Sequence, residues 1–176
     1  MLMVRLSLEN IKKNFGTFNE FQLFLKILIL IPVMEISIKL FSMPRLMYWI
    51  TPKERRHHRN LNESSFCIKA VKYTDFLSGM NLWIYRPNCL KRSLVLYRVL
   101  RDEGVDVQLC IGARLGDRDE DELTGGRLEG HAWLVKDGRN FLEKNEETAN
   151  SYRVTYSFPD SGMMTIDPGP RHGIDA

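Results

Sequence analysis

Cys89 is the residue of this chain best placed to act as a nucleophile. It follows Pro87 and Asn88, at the point where a loop becomes a helix. Asn88 is a good N-cap and Pro87 prevents an earlier start, so Cys89 takes the first helical position. Unpaired backbone N–H groups and the positive end of the helix dipole favour a thiolate there. The sequence therefore predicts a cysteine nucleophile at the N-terminus of a helix that runs to Glu103.

A nucleophile of this kind needs a base, and His131 is the best candidate among the four histidines. It begins the segment 131–135, whose pattern favours a β-strand. His57 and His58 belong to a basic run, and His172 lies near the C-terminus. A lone histidine in a strand is more often structural than catalytic. A cysteine at the N-terminus of a helix in the same chain favours a Cys–His pair instead.

The acid expected to orient His131 is Glu143 rather than Asp137, and this choice depends on a hairpin register. Asp137 is nearer in sequence, but it lies roughly 20 Å along the strand, at the hairpin tip. A two-residue turn at that tip would direct Glu143 to the other face of the sheet. A three-residue loop over 136–138 would place Glu143 directly opposite His131, within about 5 Å at Cβ. We predict the three-residue loop, and with it a triad of Cys89, His131 and Glu143.

The elements that carry these residues predict an α+β fold. A helix over 63–76 and the buried Cys89 helix come first, and a small antiparallel sheet follows. The predicted strands cover 105–111, 131–135, 139–143 and 152–158. The acidic, glycine-rich stretch 115–130 predicts a loop. This order is similar to that of papain-like and transglutaminase-like enzymes. The expected boundaries are 1–60 for an apolar helical region with a basic linker, 61–158 for the catalytic domain and 159–176 for an irregular tail.

The N-terminal region is unusually apolar. Hydrophobic side chains occupy nearly every face of 18–31, and Pro32 should end or kink this helix before a second helix over 33–41. Such helices either cover the core of the protein's own domain or present a docking surface, within 18–50, for a partner or a membrane. No apolar stretch here approaches the ~20 residues that span a bilayer.

The composition indicates an ordinary globular protein for which we expect no cofactor and no metal. The net charge is +3, and the basic run 53–59 is more typical of a solvated linker than of a nucleic-acid platform, because no aromatic residue interleaves with it. Three cysteines without metal-ligand spacing argue against a disulfide framework and against zinc. Cys67 and Cys110 are expected to be small core residues. This cysteine usage favours a reducing, cytoplasmic compartment.

Three blocks of sequence resemble the lasso-peptide leader peptidases, which are transglutaminase-like cysteine proteases of the microcin-processing B-protein type. The blocks are NCLKRSL at 88–94, VDVQLCIG at 105–112 and GHAWLVKDG at 130–138. The resemblance is strong over 85–145. It implies a Cys–His–Asp triad in which Cys89 and His131 match the first two positions. Glu143 stands where the family has Asp.

The resemblance implies a cysteine endopeptidase that removes the leader from a ribosomally synthesised lasso precursor. The first 60 residues do not resemble the winged-helix leader-binding module of some relatives, so the chain resembles the stand-alone peptidase of a split system. Its implied partners are the precursor peptide, a separate leader-recognition protein and a macrolactam cyclase. Two alternatives stay open: a transglutaminase-like amidase or acyltransferase on another substrate, and an inactive scaffold that docks through residues 1–50.

Overall fold

The computed structural model describes residues 18–52, 63–80, 85, 88–115, 128–143 and 149–159. This part of the chain forms four helices and one antiparallel sheet of four strands, which confirms the predicted α+β class. The helices are α1 (Phe18–Leu40), α2 (Met43–Ile50), α3 (Glu63–Ser78) and α4 (Cys89–Asp102). The strands are β1 (Gln108–Leu115), β2 (Leu128–Lys136), β3 (Arg139–Phe141) and β4 (Arg153–Phe158).

The helix α1 continues through Pro32, so the prediction of two helices that meet at this residue is wrong. Proline removes the N–H that would bond the carbonyl four residues earlier, which is that of Leu28. The Tyr85 hydroxyl donates a hydrogen bond to this carbonyl at 3.0 Å. Burial of Ile31 and Met34 on either side of Pro32 also holds the helix in the core. A distant side chain thus supplies the donor that the proline lacks.

The N-terminal helices cover the protein's own core, as one of the two alternatives predicts. The buried residues of α1 pack in one cluster with α4 and the sheet: Leu23, Ile27, Ile31 and Met34. The same helices and their connection also expose large apolar side chains. These are Phe18, Leu25, Ile29, Ile36, Leu40, Phe41, Tyr48 and Trp49. The outward side of α1 and α2 is therefore the kind of apolar surface that the other alternative requires.

The helix α4 is enclosed between α1 and the sheet. Its Lys91 is only 2% exposed, and the ammonium forms an ion pair at 3.1 Å with Glu35 of α1. Hydrogen bonds from Lys39 and Lys91 lower the pKa of Glu35. The helix ends as predicted, because Gly104 adopts a φ of 85° that glycine reaches without steric cost.

The sheet has the strand order β3-β2-β1-β4, with every pair antiparallel. Successive side chains of a strand point to opposite faces. Leu109 and Leu134 face the helices and belong to the main core. Cys110 and Trp133 lie on the other face, in a second cluster closed by Ala149. The central strands β1 and β2 therefore have a helix-covered face and a second buried face.

The strands β1 and β2 extend further toward each other than the sequence predicts. β1 covers Gln108–Leu115 instead of 105–111, and β2 begins at Leu128, inside the predicted loop. Cross-strand pairing and the ion pair between Arg114 and Glu129, at 2.8 Å, hold these polar ends in the ladder. Four predicted segments lie partly or wholly outside the described residues and stay predictions: 1–17, the basic run 53–59, the loop 116–127 and the tail from 160.

Candidate active site

Cys89 lies at the first position of α4, as the sequence predicts. Asn88 has an extended conformation, and its side chain accepts a hydrogen bond from the Leu90 N–H at 2.9 Å. This cap satisfies one donor of the helix end, whereas the Cys89 N–H has no intrahelical acceptor by the geometry of a helix. The Cys89 side chain is partly exposed. A thiol that solvent reaches at an open helix end is a plausible nucleophile.

The first turn of α4 docks against the edge of β2 where the ladder with β3 has ended. β3 pairs with β2 only from Leu134 to Lys136. Beyond this point the Ser93 hydroxyl donates a hydrogen bond to the buried Ala132 carbonyl at 2.8 Å. Cys89 shares the Ser93 face of the helix and lies one turn, about 6 Å, before it. The helix turn that bears Cys89 therefore lies near this edge of β2, next to the residue that follows His131.

His131 lies in β2, and its ring contacts two aromatic side chains. The Trp133 ring stacks at 5.8 Å between centroids, and the Tyr152 ring lies at 5.2 Å. Gly112 is the cross-strand neighbour of His131. A Cβ at Gly112 would lie 2.9 Å from Trp133 Cη2 and 3.0 Å from Tyr152 Cβ, so the absence of a side chain there lets both rings approach. Trp133 is only 2% exposed and is a packing residue, not a wall of an open groove.

The hairpin between β2 and β3 has a two-residue turn, so the predicted three-residue loop is wrong. Lys136 pairs directly with Arg139. The turn residues Asp137 and Gly138 have φ angles of 50° and 75°. Positive φ at both central positions is the type I′ geometry, which Asp-Gly favours and whose twist matches that of the flanking strands. Asp137 is exposed at the tip of the hairpin, as expected.

Glu143 reaches His131 in spite of this register. A regular continuation of the ladder would pair Glu143 with Ala132 and direct it to the face opposite His131. The ladder instead ends at Phe141, and Leu142 has a φ of 59°. Phe141 and Leu142 both pack against the main core, so the alternation of side chains is broken by one residue. The expectation that a two-residue turn removes Glu143 from the site is therefore wrong.

The two nitrogens of His131 differ in their position relative to Glu143. Glu143 Oε2 lies 3.6 Å from His131 Nε2, and the side chains are 13% and 16% exposed. This distance is too long for a hydrogen bond, and Nε2 is buried without a hydrogen-bond partner in the described part of the chain. Catalytic hydrogen bonds often shorten when substrate binds. With Nε2 directed at the carboxylate, Nδ1 is the ring nitrogen on the side away from Glu143.

The other two cysteines are core residues, as predicted. Cys67 and Cys110 are both buried and free. Burial raises the pKa of the Cys67 thiol, and it raises the pKa of Cys110 to about 11. Cys89 is thus the one accessible thiol among the three cysteines, all of which the structure describes. Across the described ranges no group of three or more His, Cys, Asp or Glu residues is arranged to hold a metal ion.

Comparison with known proteins identifies the family of this chain. The family model described as the transglutaminase-like superfamily matches residues 34–157. The chain belongs to the transglutaminase-like superfamily. Neither the curated proteins nor the solved structures yield a match. The superfamily indicates a cysteine-type enzyme of the protease or acyltransferase kind, and the α+β core with its Cys-bearing helix is the transglutaminase-like domain.

The transglutaminase-like site contains residues to which the sequence alone assigns no role. Arg92 and Ser93 lie in the NCLKRSL block, yet only the structure shows that they bind the peptides next to Glu143 and His131. The sequence does not indicate the left-handed backbone of Leu142, because leucine rarely adopts a positive φ.

Among the described helices none is long and apolar enough to cross a membrane.

Proposed function

We propose that this protein is a cysteine endopeptidase that removes the leader peptide from a ribosomally synthesised lasso-peptide precursor. The proposal of cysteine catalysis is supported by two contacts of the helix turn that bears Cys89. Arg92 binds the carbonyl of Leu142, just before Glu143, and Ser93 binds the carbonyl of Ala132, just after His131. The choice of substrate is supported by the resemblance of the three sequence blocks to lasso leader peptidases. Membership of the transglutaminase-like superfamily agrees with amide-bond chemistry at a cysteine.

In the proposed reaction His131 Nδ1 accepts the thiol proton and Cys89 Sγ attacks the carbonyl carbon of the scissile peptide bond. The oxygen of the tetrahedral intermediate carries the negative charge, and the Cys89 N–H at the open end of α4 is placed to donate to it. The imidazolium then protonates the leaving amine as the C–N bond breaks, which leaves a thioester. Water, deprotonated by His131, releases the leader as a carboxylate. Glu143 orients the imidazole and balances its charge.

The proposed partners are the precursor peptide, a separate leader-recognition protein and a macrolactam cyclase. The outward apolar side chains of α1 and α2 offer a surface for such a partner or for a membrane surface, since contiguous apolar patches commonly mark interaction sites. The proposed compartment is the cytoplasm, because the three cysteines are free thiols.

The direct test is Cys89→Ala in a reconstituted mixture with precursor and recognition protein. We expect leader cleavage, followed by mass spectrometry, to fall to background. Cys110→Ala is the matched control, since this thiol is buried away from α4, and it should retain cleavage once its folded fraction is taken into account. Undiminished cleavage by Cys89→Ala would exclude the proposed mechanism.

Acyl transfer is a second candidate, because the matching family is transglutaminase-like. The two functions differ in the acceptor of the acyl group. Addition of a primary amine such as cadaverine should leave the leader as a free carboxylic acid if the enzyme is a peptidase. Stoichiometric appearance of the leader amide would favour the acyltransferase. An inactive scaffold would show neither product and would cleave no precursor at any pH.

A further inference from the structure

We propose that Arg92 is a positioning residue that sets the place of Glu143 relative to Cys89 and His131. The inference rests on the proposed cysteine chemistry of this site. Arg92 is three residues after Cys89, so the two side chains are neighbours on the first turn of α4. Any contact that Arg92 makes with the segment around Glu143 therefore ties that segment to the helix turn bearing the nucleophile.

Such a contact exists at Leu142, immediately before Glu143. Arg92 Nη2 donates to the Leu142 carbonyl at 3.3 Å. Leu142 is the residue with the left-handed backbone, φ 59°, that breaks the strand alternation. This conformation is sterically unfavourable for a residue with a branched side chain, so external contacts must hold it. Among the described residues, the hydrogen bond from Arg92 and the packing of the Leu142 side chain against the core both do so.

Arg92 is itself held in place from the opposite side. Its Nε donates to Asp75 Oδ1 of α3 at 2.8 Å, and the two side chains are 18% and 25% exposed. The planar guanidinium presents its donors in a fixed fork, so anchoring Nε also orients Nη2. A lysine has a single ammonium group and cannot hold both acceptors with this geometry. Arg92 thus transmits the position of α3 and α4 to the peptide that precedes Glu143.

The neighbouring Ser93 completes the arrangement. Its hydroxyl donates a hydrogen bond to the carbonyl of Ala132, the residue after His131. One turn of α4 therefore carries the thiol and contacts the backbone beside both other members of the triad. The Arg92 contact thus acts together with the packing of Leu142 to keep Glu143 out of the regular register that would direct it away from His131.

The test measures the rate of Cys89 alkylation by iodoacetamide as a function of pH, with the modified peptide quantified by mass spectrometry. Four proteins are compared with the parent: Arg92→Lys, Glu143→Gln, the double variant, and Arg98→Lys. Arg98 is the matched control, because it lies on α4 and donates to a backbone carbonyl, that of Ile50 at 3.0 Å, remote from the hairpin. Circular dichroism and urea unfolding verify that each variant is folded.

We expect Arg92→Lys to shift the pH profile in the same direction as Glu143→Gln and to slow alkylation near neutral pH by roughly ten-fold, the factor expected for one charge-assisted hydrogen bond. In the Glu143→Gln background the Arg92→Lys change should have no further effect, because Arg92 acts through Glu143. Arg98→Lys should leave the profile unchanged. If Arg92→Lys does not fold, Asp75→Asn releases the same guanidinium and should shift the profile likewise.

The possible failures are distinct. A profile unchanged by Glu143→Gln would refute the proposed triad, and the role of Arg92 with it. A profile shifted by Glu143→Gln but not by Arg92→Lys or Asp75→Asn would refute the role of Arg92 and leave the triad standing. Additive effects of the two single changes would show that Arg92 acts independently of Glu143, which also overturns the proposal.

Discussion

Gly112→Ala introduces one carbon atom next to His131, the candidate base, where β1, β2 and the start of β4 converge. The new Cβ would lie 2.9 Å from the Arg153 carbonyl oxygen, 2.9 Å from Trp133 Cη2 and 3.0 Å from Tyr152 Cβ. Two of these atoms belong to the backbone or lie next to it, so they cannot move away by a rotamer change. The substitution therefore forces a backbone shift or displaces the Trp133 and Tyr152 rings that hold His131.

The expected loss follows from two opposing effects. Overpacking of a buried site costs roughly 1–3 kcal/mol. Alanine recovers roughly 0.5–1 kcal/mol relative to glycine within a strand, because glycine loses more conformational entropy on folding. The net effect is a fall of roughly 0–2.5 kcal/mol, centred near 1 kcal/mol, in the free energy of unfolding. In a chain of this size a loss of about 1 kcal/mol corresponds to a drop of about 2–4 °C in Tm.

Urea unfolding and thermal unfolding measure the effect, and Gly130→Ala is the matched control. Gly130 lies in the adjacent strand, and a Cβ there has its nearest neighbour at 3.9 Å. We expect Gly130→Ala to be neutral or slightly stabilising. If Gly112→Ala proves as stable as Gly130→Ala, Gly112 is not needed for the Trp133 and Tyr152 side chains to pack beside His131, which contradicts the prediction.

Two further predictions concern stability. Tyr85→Phe removes the hydroxyl that satisfies a carbonyl inside α1 and should lower the free energy of unfolding by about 1 kcal/mol, measured by urea unfolding against the exposed Tyr48→Phe as control. The pKa of Glu35 is lowered below its ordinary value of 4.5 by hydrogen bonds from Lys39 and Lys91. A depressed pKa means that the stabilisation is present above pH 4.5 and is lost as the pH falls through the lower folded-state value. Glu35→Gln should therefore reduce stability at neutral pH and flatten its acid dependence in unfolding measured between about pH 6 and pH 3.

Features that depend on neighbouring residues could be predicted from the sequence. The start of α4 follows from Asn88 and Cys89, since an N-cap is satisfied within a few residues. Its end follows from Gly104, and the strand character of β2 follows from its local pattern. The burial of Cys67 and Cys110 follows from the absence of any electropositive cap near them. Each of these features depends on interactions between residues that are close together in the sequence.

The hairpin shows where an argument from function misleads. The Asp-Gly pair favours a two-residue turn, and this local preference holds in the structure. The three-residue loop is attractive only because it would bring an acid opposite His131. Glu143 approaches His131 by a different route, the left-handed Leu142, which is stabilised by Arg92 from a helix some fifty positions earlier. No local rule predicts a positive φ at leucine.

Pro32 is the corresponding case in α1. Its local effect is to interrupt a helix, and the sequence predicts an interruption. The helix persists because a hydroxyl 57 positions from Leu28 satisfies the orphaned carbonyl and because the residues on both sides are buried.

The types and local settings of the reactive groups are encoded in short stretches of the chain: a cysteine behind a helix cap, a histidine in a strand, and an acid soon after a turn. Which acid lies beside His131, and which edge of the sheet receives the Cys89 turn, depend on contacts between residues far apart in the chain. Those contacts arise from the packing of α4 between α1 and the sheet, and from side chains such as Arg92 and Ser93 that bind backbone carbonyls beyond the end of the β2–β3 ladder. Local energies cannot specify them, because their partners come together only when the whole core has formed.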